Sequence, residues 1–212
     1  IKGAQYLGSC SSGRTNRPSR IMRVAVLPTI VLSLLSFAES KAQGKLHRDV
    51  PDFIEMARSF RNPVAIFASG ENEELECLRA RLTRVNEASR TATYVWMLKG
   101  ERGSERKPVR YDISAGNESN QVLFTQKGSP EVYTGTIAYT DYKDCFVVEF
   151  GGSFYGGQCM MWVRKEVEDY VPQTCIDQFE DICDMDVSLY NHDLCQDDDD
   201  EYEEADVEKP FV

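Results

Sequence analysis

DCFVVEF at residues 144–150 and QCMMWVR at residues 158–164 decide the fold. Successive side chains of a strand point to opposite faces. With Cys145 turned outward, Phe146, Val148 and Phe150 share one face while Val147 and Glu149 take the other. With Cys159 turned outward, Met160 and Trp162 join Phe146. Both strands thus offer large apolar groups to a common interior and hold their cysteines on the opposite skin. From Pro172 onward, Cys175, Ile176, Phe179, Ile182 and Cys183 fall on one helical stripe, which predicts a helix lying against the outer wall.

Further β-rich runs precede this pair at Val64–Phe67, Leu75–Val85, Thr91–Leu98, Lys107–Ile113, Gln121–Thr125 and Val132–Tyr139, separated by Gly, Asn, Ser and charged clusters. Eight antiparallel runs joined by short turns make a closed barrel whose interior just holds one small ligand, with a two-sheet sandwich as the alternative. Ahead of them, Phe53, Met56, Ala57 and Phe60 recur at helical spacing within Asp49–Phe60, and Pro51 suits a first turn, so a short amphipathic helix is expected.

The chain has 212 residues, 42% hydrophobic, with 24 basic and 35 acidic side chains and a formal charge of −11. That is enough for one domain with an ordinary core, and it excludes collagen-like and wholly disordered chains. The acidic balance argues against a nucleic-acid partner. Residues 1–43 hold six basic groups and one acid, leaving a net −16 on the rest.

Met22 and Arg23, the apolar stretch Val24–Phe37 and small residues at Ser36/Ala38 and Ser40/Ala42 have the three parts of a secretory signal over 22–42. The stretch is interrupted by Pro28, Thr29 and Ser33 and falls short of the ~20 residues of a spanning helix, so no membrane partner is expected. Residues 1–21 lack periodicity and read as upstream-translated or disordered sequence. The barrel domain is assigned to 44–195. The acidic run at 196–212 repels itself and reads as a solvated tail.

Six cysteines remain in the domain: Cys77, Cys145, Cys159, Cys175, Cys183 and Cys195. An even count behind a signal peptide implies disulfides and secretion, and spacing alone leaves 15 pairings open. Without a CxxC pair and with only His47 and His192 as nitrogen ligands, no metal or other cofactor is expected. Asn117-Glu118-Ser119 is a glycosylation sequon in a loop.

Taken in order, the short first helix, Glu76-Cys77-Leu78, IAYTDYKDC at 137–145, CMMW at 159–162, Pro172-x-x-Cys175-x-x-x-Phe179 and Cys195 resemble the secreted salivary lipocalins of ticks, the group named for histamine-binding proteins. The resemblance spans about Asp49 to Cys195. It implies an eight-stranded barrel with a helix on its side, and the bridges Cys77–Cys195 and Cys145–Cys175, which leave Cys159 with Cys183. It also implies capture of a small host mediator, an amine or a lipid, in the saliva.

The departures from that family fall in the expected lumen. Amine-binding members carry acids at the positions of Phe146 and Met160; Asn62 stands where an Asp can occur, and Gly135 replaces another acid. A protonated amine entering a dry cavity needs inward carboxylates to compensate its lost hydration. Asp112, beside Tyr111, is the surviving acidic candidate. Trp96, Tyr111, Phe146 and Trp162 either box a cation or form barrel core. Arg110 and Arg164, if inward, would suit a lipid carboxylate.

Three function classes follow. The first is a monomeric, non-catalytic scavenger of a small molecule. The second is an inhibitor that binds a host complement, clotting or cell-surface protein through loops such as Gly151–Gly157. An enzyme is the weakest, because no nucleophile elbow, metal motif or phosphate loop is present.

Overall fold

The computed structural model describes residues 48–100, 106–183 and 187–195. The signal segment, the residues before it and the acidic tail lie outside the described residues. Eight antiparallel strands form the body: β1 (Pro63–Ala68), β2 (Arg79–Asn86), β3 (Thr91–Leu98), β4 (Lys107–Ala115), β5 (Gln121–Gln126), β6 (Val132–Thr140), β7 (Cys145–Phe150) and β8 (Cys159–Arg164). Each strand from β2 to β7 pairs with the next, and β1 joins β8 on one side and β2 on the other. The sheet therefore closes on itself as a barrel, which rules out the sandwich.

The closing seam is short. β1 and β2 share a single register pair, Val64 with Arg79, supported by N–H bonds from Ala65 to the Leu78 carbonyl (2.9 Å) and from Leu82 to the Arg61 carbonyl (2.7 Å). Where β2 diverges, a ninth strand, β9 (Val187–Ser188), takes its place beside Phe67 and Ala68. Just after it, Leu189 donates to the Ile66 carbonyl (2.8 Å) and accepts from the Cys77 N–H (2.7 Å). The periodicity of the sequence does not reveal β9, because two residues carry no period. It also starts β2 too early. Leu75 ends a 3₁₀ turn capped by Asn72, and Cys77 at φ 55° breaks the extended path before Arg79.

The alternation expected along β7 and β8 is present. Phe146, Val148, Phe150, Met160 and Trp162 belong to the inner core, while Cys145, Val147, Cys159, Met161 and Val163 belong to a second cluster on the outer wall. Over that wall lies α2 (Gln173–Ile182), which buries Cys175 and Phe179; Phe179 stacks on Phe67 at 5.8 Å. Bridges Cys145–Cys175 and Cys159–Cys183 tie α2 and its end to the wall. Cys77–Cys195 fastens α3 (His192–Cys195) beside the seam.

The helix α1 (Phe53–Ser59) closes one end of the barrel. Pro51 precedes its cap rather than entering the first turn, because Asp52 is the N-cap and accepts from the Ile54 and Glu55 N–H groups. Three turns of one barrel end grip it: Arg90 of β2–β3 pairs with Asp52 (2.8 Å), Ser119 of β4–β5 accepts the Phe53 N–H (2.9 Å), and the Tyr142 hydroxyl of β6–β7 accepts the Asp52 N–H (2.7 Å). Burial opposes the Asp52 charge, but the Arg90 hydrogen bond and the two helix N–H donors outweigh it and hold this carboxyl below its usual pKa. Asp52 therefore adds stability above the unfolded carboxylate pKa and loses that contribution as pH falls through its lowered folded value. Asp52→Ala is expected to cost about 1–2 kcal/mol near neutral pH. Denaturant melts should show the gap to the parent narrowing in acid.

Candidate functional site

Because α1 blocks one end, the opposite end, formed by the β1–β2, β3–β4, β5–β6 and β7–β8 connections, is the mouth. Between the two ends lies a narrow cavity of about 40 Å³. Phe53 and Met56 of α1 form its floor; Tyr94, Val122, Ile137, Phe146, Val148 and Trp162 form its sides; Trp96, Phe124 and Phe150 stand toward the mouth. No charged side chain lines it among the described residues. Tyr94 brings a hydroxyl, but it donates to the Phe60 carbonyl (2.8 Å), pinning the end of α1.

Of the positions where the resemblance leads one to expect an acid in an amine binder, Phe146, Met160 and Gly135 belong to the packed interior and Asn62 to the surface. Phe146 lies parallel to Trp162 with centroids 6.1 Å apart and meets Phe60 edge-on at 4.8 Å. Met160 is fully buried in the inner core without lining the cavity. At Gly135 a Cβ would come within 2.7 Å of the Phe124 ring, so the missing side chain is the space this ring uses. Asn62 is exposed beside Pro63.

Three sequence-based candidates are corrected. Tyr111 and Ile113 point inward, so Arg110 and Asp112, one residue out of phase, point outward. There Arg110 pairs with Asp112 (3.0 Å), and Asp112 also accepts from the Thr93 hydroxyl (2.8 Å). Neither reaches a ligand in the lumen. Arg164 sits at the α1 end of β8 against Asp144 (3.3 Å) and does not line the cavity either. The Asp144 carboxyl is held below its usual pKa, first by Lys143 and then by Arg164.

The aromatic candidates come together as packed core. Trp96 meets Tyr111 at 4.9 Å and Trp162 at 5.1 Å, so these rings fill the lumen rather than frame an open box. Above them sits a group that sequence reasoning left in a loop. The β7–β8 connection turns inward at Phe154, which is 4% exposed and has five rings, of Trp96, Tyr111, Phe124, Tyr133 and Phe150, at 4.8–5.8 Å. Tyr155 stacks on Trp96 at 6.0 Å, and its hydroxyl is 3.1 Å from that of Tyr111. Burial, and then the Tyr155 hydroxyl, push the Tyr111 pKa far above its usual range, so the pair stays protonated at any physiological pH. The signal for this plug was paired glycines around an aromatic dipeptide, GGSFYGG at 151–157.

One cluster of possible metal ligands, Asp141, Cys145 and Cys175, occurs among the described residues, but its two sulfurs are bonded to each other. Asp141 Oδ1 accepts the N–H groups of Lys143, Asp144 and Cys145 at 2.8–2.9 Å and so shapes the β6–β7 turn. Asn117 is exposed in the β4–β5 turn.

A family model described as tick histamine binding protein matches residues 38–197. No curated protein matches the chain. Among solved structures, the AM182 serotonin complex is similar at 12% identity and TM-score 0.51, covering 69% of this chain and 96% of that one. Lobster apocrustacyanin A1 (12%, TM-score 0.46, covering 61% of this chain and 76% of that one) and a bovine odorant binding protein mutant (12%, TM-score 0.47, 65% and 97%) are also similar. At these identities the likeness is one of fold.

Proposed function

Because the chain belongs to the tick histamine-binding protein family, whose members bind ligands rather than catalyse reactions, we propose that it is a secreted scavenger that captures a small, hydrophobic host mediator in its lumen. Three disulfides suit the oxidising compartment this requires. The observation that carries the reading is the uncharged lining of the cavity. A protonated amine loses several kcal/mol of hydration on entering such a space and finds no carboxylate there; a neutral or long-chain apolar molecule gains from the same burial. Of the two ligand classes known by resemblance, the lipid class fits this lumen better than histamine or serotonin. The alternative, a host protein held by the Gly151–Gly157 loop, is disfavoured because Phe154 of that loop is buried in the barrel.

Calorimetry with a panel of amines and neutral or lipid mediators tests this. An apolar member should bind one to one, with an affinity flat from about pH 5 to 9, since no carboxylate, histidine or lysine lines the cavity. Tight binding of histamine or serotonin by the parent protein, lost at low pH, would discard the apolar reading.

A further inference from the structure

The β7–β8 connection is built to be both inserted and withdrawn. Phe154 and Tyr155 stand between glycine pairs, Gly151-Gly152 and Gly156-Gly157. Gly152, Gly156 and Gly157 adopt φ of 67°, 81° and 71°. At Gly152 and Gly156 nothing lies within 4 Å of where a Cβ would stand, so backbone conformation and not lack of room requires glycine there. Tyr155 itself sits at φ 44°, a conformation that costs an ordinary residue about 1 kcal/mol or more. Such a turn persists because its side chains are gripped, and the grip here consists of the rings around Phe154, the Tyr155 ring on Trp96 and one hydroxyl pair.

Phe154 meets Trp96, Phe124 and Phe150, which are the cavity walls nearest the mouth, yet it does not line the cavity. It fills the section of the barrel between the cavity and the open end. The other end is blocked by α1, whose cap and backbone are held by three turns.

We propose that the turn from Gly151 to Gly157 is a withdrawable stopper, with Phe154 as the plug and the Tyr155–Tyr111 hydroxyl pair as the latch, and that ligand enters only when it lifts. Withdrawal also frees the section that Phe154 occupies, so the stopper sets which lengths of apolar ligand the lumen accepts. This inference rests on the lumen being the binding site.

The test is stopped-flow association of the neutral fluorescent dye N-phenyl-1-naphthylamine with the disulfide-intact protein, Tyr155→Phe and Phe154→Ala. Tyr155→Phe keeps the ring on Trp96 and removes only the latch; association is expected to speed up about fivefold, the factor set by one net hydrogen bond. Phe154→Ala removes the plug and is expected to speed association roughly a hundredfold or more, the scale of a lost buried ring. If the dye binds all three proteins at one rate, entry lies elsewhere and the stopper is refuted, while lumen binding stands. If Asp52→Ala accelerates association and the loop variants do not, entry runs past α1, and the stopper is again refuted with lumen binding intact. If no variant binds, Phe154→Ala included, lumen binding itself fails. Binding confined to Phe154→Ala supports the stopper in its tightest form.

Discussion

Phe146→Asp is expected to lower the unfolding free energy by about 3–5 kcal/mol. The substitution removes a ring packed between Phe60 and Trp162 and leaves a carboxylate facing a cavity with no basic side chain on its lining. The same change places an acid where the family resemblance leads one to expect it in an amine binder. Histamine or serotonin should therefore raise the melting temperature of the variant in a concentration-dependent way and leave the parent unmoved. An equal rise in the parent would show that its lumen already compensates a cation, against the apolar reading of the site.

The second large effect is expected at Cys77–Cys195. This bridge closes a loop with a sequence separation of 118, against 30 and 24 for the other two. In the chain-entropy account, removing a crosslink of that span costs about 4–5 kcal/mol and one spanning 24–30 residues about 3–4. Replacing both partners with serine, pair by pair, and measuring denaturant midpoints should therefore rank Cys77/Cys195 as the most damaging pair. It also releases the segment through which Leu189 holds the Ile66 carbonyl and the Cys77 N–H.

The barrel was legible because its walls alternate cleanly. One outward cysteine on each of β7 and β8 set the phase, and Phe146, Val148, Phe150, Met160 and Trp162 followed. The same rule applied to β4 would have turned Arg110 and Asp112 outward as soon as Tyr111 and Ile113 were taken as inner. The seam was illegible because it depends on a two-residue strand and a positive φ at Cys77, neither of which leaves a period. The plug was illegible because Phe154 reaches its partners through a turn, where alternation says nothing about direction. α1 was read as amphipathic, but that its Phe53 and Met56 would floor the cavity followed only from the three turns that clasp it.

The ninth strand has a consequence for how the molecule is made. Synthesis proceeds from the amino end, and the stave that covers Phe67 and Ala68 of β1 comes after all eight others. Until it arrives, the C-terminal half of β1 has one side open. The early staves can zip together in order as they emerge, and the last hoop, Cys195 onto Cys77, is fastened only after them.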